Sequence, residues 1–312
     1  MNRYNMANSA HHFTEYVLNP IPNSLWRQAT PIEGTRLGFC GTCGFYHVDP
    51  YPDAAYLAKF YSSYEMPTTQ ANLAETARLL ARNLDKSATV VDMGCGDGGF
   101  LREMHALGFA NLIGFDQSPG LERAQSLGFG RFFKASVWDY LADAENRGGI
   151  EADALVMVNV LEHITEPLEF LLRIRRLMPE NGKLCITVPN DFSPLQKAFL
   201  KVKGHLPWFV CVPDHLNYFD FNMLGSVLRK AGFRVVDQSA LYPLELFLLQ
   251  DLDYIANPEL GPIAHQRRVA FENNLKEAGM VDVLDHFYGT LAAGGFGRDV
   301  MVVASLEHAQ SF

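Results

Sequence analysis

The chain has 312 residues, 48% of them hydrophobic, and a formal net charge of −9 at neutral pH. This length allows one large domain or a domain with appendages, and the hydrophobic fraction is sufficient for a sizeable core. The acidic balance argues against a nucleic-acid partner, because such partners are usually bound by a basic face. No apolar run reaches the roughly 18 residues of a membrane span, and the first residues lack the hydrophobic centre of a signal peptide. We therefore expect a cytoplasmic protein that binds neither membranes nor nucleic acids.

Residues 1–52 contain several prolines and predict an irregular arm with some β-structure. The arm includes the sequence Cys40-Gly-Thr-Cys43, whose C-x-x-C spacing is typical of one half of a zinc knuckle. A structural zinc site needs four ligands. The remaining ligands would have to be histidines of the arm, namely His47, His11 or His12. The alternative is a degenerate knuckle that persists as a β-turn without metal. Neither the arm nor the rest of the chain has the cysteine pattern of a disulfide framework.

Residues 53–86 predict two helices. The second, at about 70–84, has apolar side chains on one face at helical spacing. The first carries the aromatic residues Tyr56, Phe60, Tyr61 and Tyr64. Aromatic residues at helical spacing usually belong to a core, so Tyr61 and Tyr64 are equally consistent with packing and with ligand contact.

A β-branched run at residues 89–91 predicts a buried strand that ends in Asp92 and leads through a glycine-rich turn into a helix. A turn without Cβ atoms lets a ligand approach the backbone, and the free N–H groups at a helix start favour polar or anionic groups. A second predicted strand ends in Asp116, 24 residues after Asp92. This spacing is typical of a carboxylate that binds ribose hydroxyls.

The glycine pattern alone fits two classes of ligand. Glycines 94, 96 and 99 satisfy the G-x-G-x-x-G pattern of dinucleotide sites. Residues 92–98, Asp-Met-Gly-Cys-Gly-Asp-Gly, satisfy D-x-G-x-G-x-G equally well. A glycine-rich surface turn without a ligand is the third interpretation.

Strands and helices alternate from residue 88 to residue 189, which predicts a parallel sheet with helices on both faces. Ligands of such sheets bind at the carboxyl ends of the strands. Polar residues at the predicted strand ends should therefore converge on one crevice. These residues are Asp92, Asp116, Ser136 and Asn159.

The last third of the chain contains a long loop at 190–220 and more than 50 residues, 242–297, between two predicted strands. Helical patterning within 242–297 predicts helices at 264–278 and 281–292, and we expect this insertion to form a substrate lid or an oligomer contact, such as that of a homodimer. Trp208, Tyr218 and Tyr242 are expected to wall the crevice, with Glu245 facing into it.

The D-x-G-x-G-x-G turn resembles motif I of class I S-adenosylmethionine (SAM) methyltransferases. The run Asn159-Val-Leu-Glu-His163 resembles the loop after the fourth strand in the branch that includes ubiquinone-type O-methyltransferases. The resemblance extends over about residues 55–305. It implies an α/β fold with a Rossmann-like, doubly wound sheet, mostly parallel with an antiparallel last strand. The methyltransferase domain would span 53–312, with 53–86 as a helical cap over the SAM pocket.

The resemblance also implies which residues form the site. An acid directly before the glycine turn suits the sulfonium and amino end of SAM better than a pyrophosphate. The expected SAM-binding residues are Tyr61, Tyr64, Asp92, Gly94, Cys95, Gly96, Gly98, Asp116, Gln117, Ser136, Val137, Asn159 and Val160.

Methyl transfer to a hydroxyl also needs a base, and histidine has a suitable pKa. The candidates are His215, in the loop after the fifth strand, and His163, after the fourth. Glu162 would orient a histidine or, with His163, bind a divalent metal ion.

Three functions fit these features. The first is SAM-dependent methylation of a small molecule, most readily an oxygen of a sugar or secondary metabolite. The second is an NAD(P)-dependent oxidoreductase that uses the same glycine turn. The third is a non-catalytic protein that has kept the fold.

Overall fold

The structure is a computed structural model of the chain, and it describes residues 11–27, 29–62 and 72–307. The strands of this part are β1 (Phe13–Leu18), β2 (Arg36–Cys40), β3 (Phe45–Asp49), β4 (Thr89–Met93), β5 (Asn111–Asp116), β6 (Arg131–Lys134), β7 (Ala154–Val158), β8 (Lys183–Pro189), β9 (Asn217–Tyr218), β10 (Phe233–Ser239) and β11 (Asp299–Leu306). The helices are α1 (Ala54–Ser62), α2 (Leu73–Ala81), α3 (Gly99–Ala106), α4 (Leu121–Gln125), α5 (Val137–Arg147), α6 (Pro167–Leu177), α7 (Pro194–Lys203), α8 (Phe221–Lys230), α9 (Glu245–Leu249), α10 (Gly261–Glu277) and α11 (Val281–Gly294).

Seven strands form the main sheet in the order β10-β11-β8-β7-β4-β5-β6. The pairs β8–β7, β7–β4, β4–β5 and β5–β6 are parallel. Strand β11 is antiparallel to both of its neighbours. The predicted doubly wound sheet with an antiparallel last strand is therefore confirmed. Strand order reverses beside β4, which places a crevice at the carboxyl end of that strand.

The core lies on both faces of this sheet. All five residues of β7 are buried, and successive side chains point to opposite faces. Leu155 and Met157 pack with apolar residues of α5, α6 and α8, whereas Val156 packs on the other face with residues of α2, α3 and α11. Each fully buried large apolar side chain contributes about 1.5–3 kcal/mol to folding, so burial on both faces fixes the strand ends that carry the site.

The arm is a second, four-stranded sheet in the order β1-β2-β3-β9. Its fourth strand comes from the long loop, where His47 of β3 pairs with Asn217 of β9. Apolar side chains of the arm, among them Leu37 and Val48, join the same core cluster as α8. The arm therefore shares both a sheet and a core with the larger unit.

The insertion 242–297 contains α9, α10 and α11, close to the helices that the sequence predicts. Helix α11 buries Leu284 and Tyr288 against the main sheet. The Arg78 Nη2 of α2 donates to the Asp285 Oδ1 of α11 at 2.9 Å. Helix α11 thus packs beside the edge strand β10, and α10 packs against α11.

Candidate active site

A cavity of about 1080 Å³ opens at the carboxyl ends of β4, β5, β6 and β7. Eleven of the residues expected at the site line it: Tyr61, Gly94, Asp116, Gln117, Ser136, Val137, Asn159, Val160, Glu162, His163 and His215. Of the four polar strand-end residues expected to converge, Asp116, Ser136 and Asn159 line this cavity. Tyr64 lies outside the described residues.

Asp92, Cys95, Gly96 and Gly98 do not line the cavity in this structure. Asp92 is 1% exposed, and its Oδ1 has no hydrogen-bond partner. Burial, and then the charge of Asp116, raise the pKa of Asp92 to about 8, so its neutral form is favoured at pH 7. Asp92 is therefore a buried carboxyl group in β4 that does not form part of the cavity surface in this structure.

Gly94 lies at the start of the glycine turn, where the absence of a Cβ leaves space in the cavity. Its φ is +83°, and a Cβ at this position would lie 2.7 Å from the Val160 Cγ2. A side chain here would also enter the cavity, which Gly94 and Val160 both line. The cradle is therefore formed by backbone, as a closely bound ligand requires.

Asp116 holds the turn in place. Its Oδ2 accepts a hydrogen bond from the Gly96 N–H at 2.7 Å, and its Oδ1 accepts one from the Ser118 N–H at 2.6 Å. A carboxylate oxygen can accept more than one hydrogen bond. The side chain can thus brace the turn and still receive a hydroxyl from the cavity.

Asn159 occupies the end of β7 in a left-handed conformation, with φ +55°. This conformation is uncommon for residues other than glycine, and asparagine adopts it more readily than most. The Asn72 Nδ2 donates to the Asn159 Oδ1 at 3.2 Å. Asn72 also lines the cavity, and no motif in the sequence indicates it.

The 3₁₀ turn Leu161–His163 carries the candidate base. The His163 Nδ1 is hydrogen-bonded to the Asp214 backbone carbonyl. A carbonyl oxygen only accepts, so Nδ1 carries the proton and Nε2 holds the free lone pair. The His163 Nε2 lies 3.9 Å from the Glu162 Oε1.

His215 packs edge-on against His163, with ring centroids 5.2 Å apart. Burial, and then the neighbouring His163, lower the pKa of His215 well below its ordinary value. Burial raises the pKa of Glu162 well above its ordinary value, and neither carboxyl oxygen has a hydrogen-bond partner. Both groups are therefore favoured in their neutral forms. Ligand atoms of Glu162, His163 and His215 lie within 4.8 Å of one another, so the geometry is also open to a cation.

The aromatic residues that line the cavity differ from those expected. Tyr242 lines the cavity, but Trp208, Tyr218 and Glu245 do not. Tyr218 is 1% exposed in the core, and Trp208 packs on Phe199 and Phe209. The buried Glu245 Oε1 instead accepts a hydrogen bond from the Gln196 Nε2 at 3.2 Å. Further aromatic and arginine residues line the cavity in addition: Arg27, Tyr51, Phe115, Trp138, Arg268 and Arg298.

Some of these residues had a signal in the sequence. Trp138 directly follows Val137, an expected SAM-binding residue, and Asp214 directly precedes the candidate base His215. No comparable signal marks Tyr51, Arg268 or Arg298, which come from the arm, the insertion and the start of β11.

A second group of chemically active side chains lies in the arm. Ligand atoms of His11, Cys40, Cys43 and His47 lie within 4.8 Å of one another. The sequence offered three histidines as partners for the cysteine pair, and the structure brings His11 and His47 into the group. Burial lowers the pKa of His47 to about 4, so its ring is neutral at pH 7.

The parallel sheet, the glycine turn and the acid at the end of β5 define a class I SAM-dependent methyltransferase. Residues 64–238, more than half of the chain, match the family described as "Methyltransferase domain", and the chain belongs to this family. This assignment decides between the two ligand classes that the glycine turn left open, in favour of SAM.

Known proteins that resemble the chain agree with this assignment. A ubiquinone biosynthesis O-methyltransferase of Cereibacter sphaeroides is 27% identical over 181 residues, which cover 55% of this chain and 71% of that protein. The corresponding protein of Dinoroseobacter shibae is 26% identical and covers 57% of this chain and 74% of its own length.

Among solved structures, the 1,6-didemethyltoxoflavin-N1-methyltransferase of Burkholderia thailandensis, with bound 1,6-didemethyltoxoflavin and S-adenosylhomocysteine, has a TM-score of 0.50. It is 16% identical, and the match covers 89% of this chain and 98% of that one. This likeness concerns the fold.

Within the described residues, no helix has the length and apolar character needed to cross a membrane.

Proposed function

We propose that the protein transfers the methyl group of SAM to a hydroxyl oxygen of a mid-sized organic acceptor, such as a sugar or a secondary metabolite. The observation that carries this proposal is the continuity of the cavity. Gly94 of the glycine turn and Asp116 line the same cavity as His163, His215 and several aromatic side chains. A cavity that combines apolar and aromatic walls with polar groups suits a small organic molecule better than a protein tail. The names of the relatives, which are O-methyltransferases, support oxygen as the acceptor atom.

The residues of the cavity fit SAM. A Cβ on Gly94 would fill the cradle, and Asp116 presents a carboxylate where ribose hydroxyls would lie. We assign the direct contacts to the cavity-lining members of the expected set: Tyr61, Gly94, Asp116, Gln117, Ser136, Val137, Asn159 and Val160. Asp92, Cys95, Gly96 and Gly98 would act indirectly, by shaping the turn.

When bound, SAM supplies a methyl group already activated by its sulfonium. The protein must then hold the acceptor in line and remove its proton. We assign removal of the acceptor's proton to the His163 Nε2. This nitrogen has the free lone pair, because the hydrogen bond to the Asp214 carbonyl fixes the proton of His163 itself on Nδ1. His215 is the other candidate, but burial of its ring disfavours the protonated form that a base must reach. His215 would instead position the His163 ring through their edge-on contact.

Glu162 would orient the His163 ring, because its Oε1 lies 3.9 Å from the His163 Nε2. The insertion would form part of the cavity wall for the acceptor through Tyr242 and Arg268.

Zinc is the second bound species that we propose, at Cys40 and Cys43 of the arm.

The cofactor assignment is tested by thermal unfolding with S-adenosylhomocysteine and, separately, with NAD. A ligand at 100 times its dissociation constant stabilises the folded state by about 2.7 kcal/mol. We expect S-adenosylhomocysteine to raise the melting temperature by several degrees and NAD to leave it unchanged. Stabilisation by NAD alone would refute the proposal.

The base is tested with an acceptor found by screening phenols and hydroxylated sugars for production of S-adenosylhomocysteine. His163→Ala should lower turnover by about 10²–10⁴ with SAM affinity nearly unchanged. His215→Ala should have the smaller effect. The reverse ranking would return the base role to His215, and wild-type turnover in both variants would indicate an acceptor that needs no base. Loss of activity on chelation that added Mg²⁺ restores would favour a metal ion at Glu162 and His163.

A further inference from the structure

The arm contains four side chains in the geometry of a metal site: His11, Cys40, Cys43 and His47, here called the arm cluster. The His11 Nδ1 lies 3.3 Å from the Cys43 Sγ and 3.8 Å from the Cys40 Sγ. Zinc–sulfur bonds of about 2.3 Å and zinc–nitrogen bonds of about 2.0–2.1 Å imply ligand separations of about 3.3–3.8 Å in a tetrahedral site. The observed distances agree with that range.

His47 provides an independent indication of a ligand. Its ring is 1% exposed, and its Nδ1 lies 2.8 Å from the Val48 carbonyl oxygen, which can only accept a proton. The lone pair is therefore on Nε2, which is buried and has no hydrogen-bond partner. Burying a nitrogen without a hydrogen-bond partner destabilises the folded state, because the nitrogen loses its hydrogen bond to water. A metal ion within the arm cluster would bind this nitrogen, and the hydrogen bond to the Val48 carbonyl would orient the ring for it.

The surroundings of the other ligands follow the same pattern. The His11 Nε2, on the far side of the ring from the thiols, lies 3.8 Å from the Glu166 Oε1. The Cys43 N–H donates to the Cys40 Sγ at 3.4 Å. The Lys230 Nζ donates to the carbonyls of Thr42 and Cys43, at 2.9 and 3.1 Å, and so holds the turn closed.

We infer that the arm cluster binds one Zn²⁺ through two cysteines and two histidines, and that this metal positions the loop that carries His163. Two thiolates and two neutral imidazoles balance the charge of the ion, and binding releases the two thiol protons to solvent. The first part depends on the arm cluster alone. The second rests on the function proposed above, because it concerns the same loop.

The link from the arm cluster to the loop is a series of direct contacts. The His47 ring stacks on Tyr51, with centroids 4.9 Å apart and planes 10° from parallel. The Tyr51 hydroxyl donates to the Asn217 Oδ1 at 2.6 Å. The Asn217 Nδ2 donates in turn to the Ile164 carbonyl at 2.6 Å and approaches the Glu162 carbonyl at 3.3 Å. Tyr51 also lines the cavity, so a fixed His47 would fix part of the acceptor wall.

Metal content tests the first part of the inference. The full chain, purified without a histidine tag, should contain about one zinc per chain, and cobalt loading should give the visible spectrum of tetrahedral cobalt thiolate. Cys43→Ser and His47→Ala should lose the metal. His12→Ala is the matched control, because His12 neighbours His11 but lies outside the arm cluster, and it should keep the metal.

A native chain with neither zinc nor a cobalt–thiolate spectrum would overturn the metal site, as would full zinc content in His47→Ala. Zinc removal from the native chain by a chelator supplies a second measurement that does not depend on how well a variant folds.

Hydrogen exchange tests the coupling and needs no acceptor. Zinc removal should speed exchange of the backbone amides at 161–166 about five- to tenfold, as expected for losing one hydrogen bond, and leave β4 unchanged. Tyr51→Phe should keep the zinc and speed exchange at the same amides. Unchanged exchange in both experiments would overturn the coupling. If S-adenosylhomocysteine bound neither the loaded nor the depleted chain by calorimetry, the proposed function would fail while the metal and exchange results stood.

Discussion

Asp116 has two roles at the scale of a single residue. Its carboxylate accepts hydrogen bonds from the Gly96 and Ser118 N–H groups and also lines the cavity. Hydrogen bonds to a charged group contribute about 1.5–3 kcal/mol each. Loss of this side chain should therefore affect both the shape of the turn and the contact with the ligand.

We expect Asp116→Ala to weaken SAM binding about ten- to a hundredfold, measured by calorimetry. Asp143→Ala is the control, because Asp143 is exposed on α5 and does not line the cavity. SAM affinity equal to that of the control variant would show that Asp116 does not contact the ribose.

At the scale of the element, the turn between β4 and α3 needs both a positive φ and the absence of a Cβ. Gly94 meets both needs, since a Cβ on it would lie 2.7 Å from the Val160 Cγ2. Gly108 has a similar φ of +89°, but a Cβ there would meet nothing within 4 Å. Substituting each glycine by alanine therefore distinguishes two free-energy costs. Both substitutions strain the backbone at positive φ, but only the one at Gly94 also brings a Cβ into close contact with another side chain.

Gly108→Ala should lower the free energy of unfolding by about 1 kcal/mol, with no change in affinity for S-adenosylhomocysteine. Gly94→Ala should lower it further and should also weaken S-adenosylhomocysteine binding. Adding Val160→Ala to Gly94→Ala should recover part of the stability by relieving the contact. Equal effects of the two single substitutions, in urea unfolding and calorimetry, would argue against the contact as the cause.

The insertion depends on polar contacts as well as apolar ones. On α10, the Arg268 Nη1 lies 2.5 Å from the Glu272 Oε1, and the Tyr288 hydroxyl of α11 donates to the same oxygen at 2.7 Å. All three residues are buried. A buried pair of this kind orients Arg268 at the cavity and fixes α10 against α11, although it need not add net stability.

At the scale of the whole molecule, buried carboxyl groups make stability depend on pH. Burial is the largest cause of the raised pKa of Asp92, about 8, and of Asp191, about 7. The unfolded chain has ordinary carboxyl pKa values near 4. Between these values the folded state holds protons that the unfolded state has lost, so stability falls as the pH rises.

Asp92→Asn should remove part of the pH dependence of the free energy of unfolding. Each unit of pKa difference corresponds to about 1.4 kcal/mol, so the variant should gain stability relative to the native chain from pH 5 to pH 8 and then level off. Urea unfolding at a series of pH values measures this difference, with the exposed Asp143→Asn as the control. Parallel curves for Asp92→Asn and the native chain would mean that Asp92 is ionised in the folded state.

The sequence predicts more of the fold than of the site. Local patterns are sufficient for the strand ending in Asp92, the helix opened by Pro167 and the helices of the insertion. The acceptor wall was harder to predict, since Tyr218 is buried in the core and Trp208 packs against it, while Tyr51 lines the cavity. Aromatic residues in loops carry no periodic pattern that shows which way they face.

The sequence by itself determined the parallel sheet, the glycine turn and the acid at the end of β5, because each depends on residues close together in the chain. The tertiary structure alone decided how His163 is protonated, since the partner of its Nδ1 is the Asp214 carbonyl, 51 residues away. It also decided which histidines join Cys40 and Cys43, because β1, β2 and β3 must pair before His11 and His47 meet them. Contacts between distant segments depend on packing, and packing leaves no fixed spacing in the sequence.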